Sequence, residues 1–188
     1  MKKLIAIFIT ALVFCACEDD VQPKPKGFLA LKYPAPEYHR VYMDCPFSFE
    51  KNKIADIAPA REAHRCWFNL KYPELNGTIF LTYKPVHNDL KKLLLDAQKL
   101  PLEHTIKASG IESETYTNDF HQVYGNFYKV TGDAASQAQF YVTDSLNHFL
   151  TGSVYFNVRP NYDSIVPAAD YLIKDIRHLM ESIRWRVE

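Results

Sequence analysis

The chain has 188 residues, with 22 Lys+Arg against 22 Asp+Glu for a formal net charge of +0, and is 47% hydrophobic. That balance leaves no field to draw it to nucleic acid or to an anionic bilayer, so partners have to be recognised by shape and local contacts. With 12 Phe and 12 Tyr it can bury a core of its own, and its length suits one domain better than two.

The chain opens MKKLIAIFITALVFCACEDD, in which two lysines precede an apolar run over 4–14 and small residues then meet cysteine. This reads as a secretory signal, too short to span a bilayer stably. The break at Ala16-Cys17, followed by Glu18, has the form of a bacterial lipobox in which Cys17 is diacylated and becomes the mature N-terminus. Cys15 fits worse because bulky Phe14 precedes it, and Phe14 itself stands where a lipobox usually carries Leu or Val. An ordinary cleaved signal peptide is the alternative. The next stretch, EDDVQPKPKGF, lacks apolar periodicity and carries two Pro-Lys steps that favour extended backbone, so it reads as a spacer. Its acidic triplet Glu18, Asp19 and Asp20 is either a surface-sorting signal or a solvated linker. The expected parse is a signal peptide over 1–16, a lipidated tether over 17–30 and a single α+β domain over 31–188.

If Cys15 leaves with the signal and Cys17 carries lipid, Cys45 and Cys66 remain in a compartment that permits disulfides, and they are read as a pair. Closing a loop of about 20 residues stabilises a fold by roughly 3 kcal/mol in the chain-entropy model. Two buried thiols are the alternative. No His lies three or four residues from either cysteine or from another His, so neither a metal nor another cofactor is expected.

CPFSFEKNKI opens the folded region as a strand with Phe47 and Phe49 on one face, and CWFNLKYP repeats the alternation with Cys66, Phe68 and Leu70. If these two strands are antiparallel neighbours, the polar stretch 51–65 supplies the excursion between them. After the Asn76-Gly77 turn signal, TIFLTYKP gives a third strand with Ile79, Leu81 and Tyr83 alternating. HNDLKKLLLDAQKLP changes period: Leu90, Leu94 and Ala97 share a helical face, Asn88 can cap the start, and Pro101 is expected just past the end. From 112 to 158 the strands ESETYTNDF, QVYGNFYKV, AQFYVTDS and HFLTGSVYFNV follow, with turns at TGDAAS and TDSLN. The final PAADYLIKDIRHLMESIRW places Leu172, Ile176, Leu179 and Ile183 at helical spacing, with Pro167 allowed in the first turn. Runs of strands with two longer helices and no βαβ alternation argue for an α+β domain with a mostly antiparallel sheet flanked by helices. In element order it resembles the PsbP and Mog1 proteins, where helices sandwich a twisted sheet.

The stretch QFYVTDSLNHF brings Asp144, Ser145 and His148 within five residues, the side-chain types of a nucleophilic hydrolase site. The serine lacks a G-x-S-x-G elbow and its loop lacks glycine, and Asp144 and Asn147 are favoured in a hairpin connection. The turn reading is therefore preferred, and no enzymatic activity is expected. Asn161 and Asp163, in RPNYDSIVP, read as a turn and cap before the last helix. The aromatic residues are read mainly as core and cross-strand pairs, and alternation places Tyr124 and Tyr128 together on one strand face.

The segments CPFSFE, CWFNLKYPELNGTIFLTYK and VYGNFYKVTGDAASQAQFYVTDSLNHFLTGSVYFNVRPNYDS, closing in DIRHLMESIRW, resemble the gliding motility lipoprotein GldD family of Bacteroidetes over nearly all of the mature chain. The TDS-x-x-HF-x-x-G-x-x-YF stretch is the most distinctive part. The resemblance implies a cell-envelope lipoprotein that supports surface gliding and the linked type IX protein secretion machinery, without enzymatic activity or cofactor. It places Cys17 as the lipid site, Cys45 and Cys66 in the family's cysteine segments, and Asp144, Ser145 and His148 in the hairpin motif. The family pattern often has an Arg before the motif glycine where this chain has Thr151, so no cation is expected to hold a partner there.

The combined expectation is a lipid-anchored envelope protein, at the outer membrane rather than the inner, binding gliding and secretion proteins through Asp144, Ser145 and His148 together with Asn161 and Asp163. Two alternatives stand beside it. One is a small-ligand-binding lipoprotein with aromatic faces lining a pocket between sheet and helices. The other is a hydrolase using Ser145 and His148.

Overall fold

The computed structural model describes residues 31–60, 64–103, 108–157 and 162–186. Cys17, with the signal and tether, lies outside the described residues, and so does Asn161. In chain order the strands are β1 (Tyr38–Tyr42), β2 (Phe47–Asn52), β3 (Asp56–Pro59), β4 (Trp67–Tyr72) and β5 (Gly77–Pro85), followed by helix α1 (Leu90–Glu103). Then come β6 (Ala108–Asn118), β7 (Val123–Gly132), β8 (Ser136–Thr143), β9 (His148–Phe156), helix α2 (Tyr162–Glu181) and the short β10 (Arg184–Trp185).

Two antiparallel sheets result. The large one has the order β3-β4-β5-β9-β8-β7-β6 and the small one β1-β2-β10. The two-residue period decides what each face of the large sheet carries. Leu70, Ile79, Leu81, Phe127, Val142, Leu150 and Val154 project to one side and are no more than 1% exposed. There they meet α2, whose Leu172, Ile176 and Leu179 are equally buried, and which also packs on β2 of the small sheet. Each such side chain contributes about 1.5–3 kcal/mol relative to an exposed position, so this cluster dominates the stability. On the opposite face α1 lays Leu93 and Ala97 on Tyr141 and Phe149, with Leu90 and Leu94 at the margin. The α+β class with a mostly antiparallel sheet and helices on both faces is therefore the observed one.

Inside the main core sits one carboxylate. Asp175 is 3% exposed and accepts hydrogen bonds from the Tyr38 hydroxyl at 2.6 Å and from Asn52 Nδ2 at 2.9 Å. The Tyr72 hydroxyl also binds it. Its partners thus come from β1, β2 and β4, joining both sheets to α2. Burial raises its pKa, and the donors only partly offset that effect. Its protonated form is therefore favoured by folding, and this group favours stability at acid pH and loses that contribution as pH rises through its folded pKa.

Several sequence expectations need correction. The strands after the two cysteines are not neighbours: β2 lies in the small sheet and β4 in the large one. Within the supposed excursion 51–65, β3 pairs with β4 as an edge strand, with Pro59 at its end where no central ladder bond is lost. β1 escaped detection because its half-exposed residues show no clean alternation. Asn88 has φ 60° and does not cap α1; Asp89 precedes the helix instead, its carboxylate accepting the His87 N–H and its carbonyl the Leu93 N–H. Pro101 lies inside the last turn of α1, not beyond it. α2 begins at Tyr162, so Pro167 falls past its first turn, where it removes one bond to the carbonyl four residues back. The same helix ends at Glu181, and Arg184 and Trp185 leave it to pair with Ser48 and Phe47.

Cys45 and Cys66 form a disulfide, with Cα atoms 5.7 Å apart. Because the flanking strands belong to different sheets, this bond clamps one sheet onto the other. Replacing both cysteines by serine is expected to lower the unfolding free energy by about 3 kcal/mol, read from urea denaturation. An unchanged midpoint would mean that α2 alone holds the sheets together.

Candidate functional site

The hairpin between β8 and β9 closes with Thr143 opposite Phe149, leaving 144–148 as its connection. Asp144 organises it: one carboxylate oxygen, Oδ1, accepts the backbone N–H groups of Leu146 at 3.0 Å, Asn147 at 2.8 Å and His148 at 2.8 Å. Burial pulls this carboxyl upward, but the three N–H donors together outweigh it and hold the pKa below the ordinary value. The Thr143 hydroxyl donates to the His148 carbonyl at 2.6 Å and accepts the Ser145 N–H at 2.9 Å. Ser145 has φ 70°, a left-handed conformation imposed by the turn.

His148 is the member of this cluster that points elsewhere. Its Nδ1 is 2.9 Å from the Tyr83 hydroxyl, and its ring stacks on Trp185 with centroids 5.0 Å apart. Trp185 is pinned in turn by donating Nε1–H to the Gln122 carbonyl at 2.9 Å. Around these rings opens a groove of about 810 Å³ that also takes in Phe120, His121 and Asp144. It lies at the end of the large sheet where β5, β6 and β8 finish. Phe120 and Leu146, on the two neighbouring hairpin loops there, are 89% and 72% exposed.

The sequence-predicted residues do not form one surface. Asp144 and His148 line the groove, while Ser145 faces a separate hollow beside His87, Asn88 and Lys91. Asp163 sits in the first turn of α2, not in a turn before it. That helix start is held by the Tyr162 N–H donating to Asp133 Oδ1 at 2.8 Å, and Asp133 lies in the β7–β8 loop. β8 separates the β7–β8 loop from the hairpin by eight residues, about 25 Å at strand rise. Sequence reading missed Trp185, Phe120 and Tyr83. The helical spacing of the last element runs on over Trp185, and the strand alternation over Phe120, although the Asn118-Asp119 pair beside Phe120 is a turn signal.

The rest of the hairpin motif has structural duties. Phe149 is buried under α1. A Cβ on Gly152 would come 2.1 Å from the Phe140 ring, its cross-strand partner, so only glycine admits that ring. Tyr155 packs edge-on to Phe80 at 5.5 Å. Phe127 and Phe140 lie in the core, in keeping with the reading of the aromatics as core and cross-strand pairs rather than with the alternative of a pocket between sheet and helices. Tyr124 and Tyr128 do share a face and are half-exposed together. Among the described residues, no His, Cys, Asp and Glu side chains gather as a metal site, and no helix is long and apolar enough to cross a membrane.

The fold and site define an antiparallel α+β sandwich with an aromatic groove at one end of its larger sheet. Within that class, the chain belongs to the gliding motility lipoprotein GldD family, whose model matches residues 18–185. It is thus a member of a family of lipid-anchored cell-envelope proteins of gliding motility. No curated protein matches the sequence. The solution structure of cyanobacterial PsbP (CyanoP) from Synechocystis sp. PCC 6803 is similar with a TM-score of 0.48 and 8% identity, over 81% of this chain and 94% of that one.

Two outcomes check the hairpin analysis. Asp144→Ala strands three N–H groups and is expected to cost about 1–3 kcal/mol at neutral pH. Because the folded pKa is lowered, the deficit should shrink as pH falls below the ordinary aspartate range and the wild-type carboxyl protonates too; a deficit constant with pH would contradict the carboxylate's role. Ser145→Gly relieves a left-handed residue and should leave the unfolding free energy from urea denaturation unchanged or raised by up to about 1 kcal/mol; a clear loss would mean the serine side chain supports the turn.

Proposed function

We propose that this protein is a non-enzymatic envelope lipoprotein, anchored through Cys17, that supports gliding motility and the linked type IX protein secretion machinery by binding protein partners at the groove end of its large sheet. The observation that carries this reading is the division of labour in the hairpin motif. Asp144, Thr143, Phe149 and Gly152 are engaged in folding, whereas His148 turns its ring to Trp185 and Tyr83 in an open groove. Aromatic side chains at a concave surface that includes the exposed Phe120 are the composition that protein interfaces favour. Loops held by a rigid sheet are also where binding residues concentrate. Asp163, about 25 Å away by the strand count, is assigned to the start of α2 and not to this surface. The outer membrane is the proposed site of anchoring.

In a host that both glides and secretes by the type IX route, deletion of the gene should abolish colony spreading and reduce secretion of type IX cargo. Restoring wild type should rescue both, while His148→Ala, made at normal level, should rescue neither fully. Spreading and secretion that persist in the deletion strain would refute the function, and full rescue by His148→Ala would remove the groove from it.

A further inference from the structure

The groove around His148 is assembled across the two sheets. Trp185 belongs to the small sheet, opposite Phe47 of β2, while Tyr83 and His148 belong to β5 and β9 of the large one. Each half of the Cys45–Cys66 bond sits close to one side of this stack. Cys45 is followed by Pro46, whose carbonyl accepts the Arg186 N–H at 2.8 Å, and then by Phe47, so it adjoins the strand pair that holds Trp185. Cys66 precedes Trp67, whose Nε1–H donates to the Tyr83 carbonyl at 2.8 Å, and the Tyr83 hydroxyl in turn meets His148 Nδ1. The disulfide therefore fixes the spacing between the two walls of the groove.

The same bond is placed where it can be opened. On one side both cysteines pack in the main core, and on the other they line a hollow of about 620 Å³ together with Trp67, Tyr83 and Arg186. Cys66 has φ 68°, a left-handed conformation that is costly for a residue with a Cβ and persists only where its surroundings impose it. The link to Cys45 is one such imposition, so opening it lets this backbone relax. Disulfides that are strained or reachable from solvent are the labile and regulatory ones. The reduced state also has a partner ready, because Cys66 Sγ lies 3.7 Å from the Asp44 carbonyl, an acceptor for the S–H that reduction creates.

Resting on the proposed role of the groove in partner binding, we propose that Cys45–Cys66 is a thiol–disulfide exchange site for a dithiol protein reductant, and that opening it frees Trp185 from His148 and switches the groove off. A thiolate of the reductant attacks Cys45 Sγ, the S–S bond breaks, and its electron pair leaves on Cys66 Sγ, which takes up a proton and hydrogen-bonds to the Asp44 carbonyl. The second thiolate of the reductant then attacks its own sulfur in the mixed disulfide, Cys45 leaves and is protonated, and the reductant departs as a disulfide. Two electrons and two protons have then passed to this chain. The oxidised form is the binding form, because its aromatic walls are already in place before a partner arrives.

The test uses the full chain in detergent, with 5-fluorotryptophan at its two tryptophans, Trp67 and Trp185, and dithiothreitol as the dithiol. Without urea, alkylation and mass spectrometry should show thiols at Cys45 and Cys66 appearing at a rate proportional to dithiothreitol concentration and roughly tenfold or more above the unfolding rate extrapolated from urea. Far-UV circular dichroism should be retained, while the Trp185 fluorine resonance, assigned with Trp67→Phe, should shift or broaden and return on reoxidation. A rate independent of dithiothreitol, or equal to the unfolding rate, would mean that the bond opens only in the unfolded chain and would overturn the proposal. So would collapse of the circular dichroism on reduction, which makes the bond a staple, or a Trp185 resonance that stays unchanged. If the redox response holds but the deletion strain still glides, the exchange site stands and the motility role fails. If the strain stops gliding but the bond is inert in the folded chain, the motility role stands and the disulfide is only structural.

Discussion

Burial of the α2 stripe against both sheets is the contact from which the remaining architecture follows. Leu172, Ile176 and Leu179 are removed from water by the large sheet, while the same helix packs on β2 of the small sheet. A purely apolar stripe would leave the relative orientation of the three elements loosely specified. Asp175 narrows it, because a buried carboxylate is tolerated only where donors converge, and Tyr38, Asn52 and Tyr72 must all arrive together. Near the helix end, Glu50 of β2 meets His178 at 2.8 Å and Arg40 of β1 at 2.9 Å, and Tyr38 stacks on the His178 ring. The disulfide adds a covalent limit at the opposite margin of the small sheet.

With the sheets so fixed, β10 can lie beside β2 and hold Trp185 over the end of the large sheet, where His148 and Gln122 receive it. The groove is thus a product of long-range assembly. Its walls come from β5, from the loops after β6 and β8, and from the chain leaving α2. A hairpin motif that looks catalytic in sequence takes on a different meaning in this setting. Its aspartate satisfies backbone donors, its serine occupies a left-handed turn position, and its histidine joins an aromatic wall.

The parts of the fold legible in sequence are those governed by local periodicity. The alternation Ile79, Leu81, Tyr83 and the helical spacing of Leu172, Ile176 and Leu179 both follow from which face each element buries. Helix boundaries were less legible, since Pro101 and Pro167 read as stops or starts but are accommodated within helices. The pairing of cysteines was readable from their compartment and number. Their role as a clamp between sheets was not, because it depends on β2 and β4 entering different sheets. Asp144 and His148 could be singled out as a pair by spacing. Trp185 and Phe120 could not be joined to them, because they lie more than 20 positions away in sequence and meet only through the tertiary fold.

The most direct test of the central claim, that the groove end is the working surface, is crosslinking in living cells from single photoreactive residues. Positions Phe120 and Asn147 in the groove would be compared with Ile57 on edge strand β3 and Leu95 on α1, all exposed in the isolated domain. The account predicts discrete protein adducts from the first two positions, lost in the His148→Ala variant, and none in common from the other two. The same adducts from all four positions, or lipid adducts alone from Phe120 and Asn147, would contradict it.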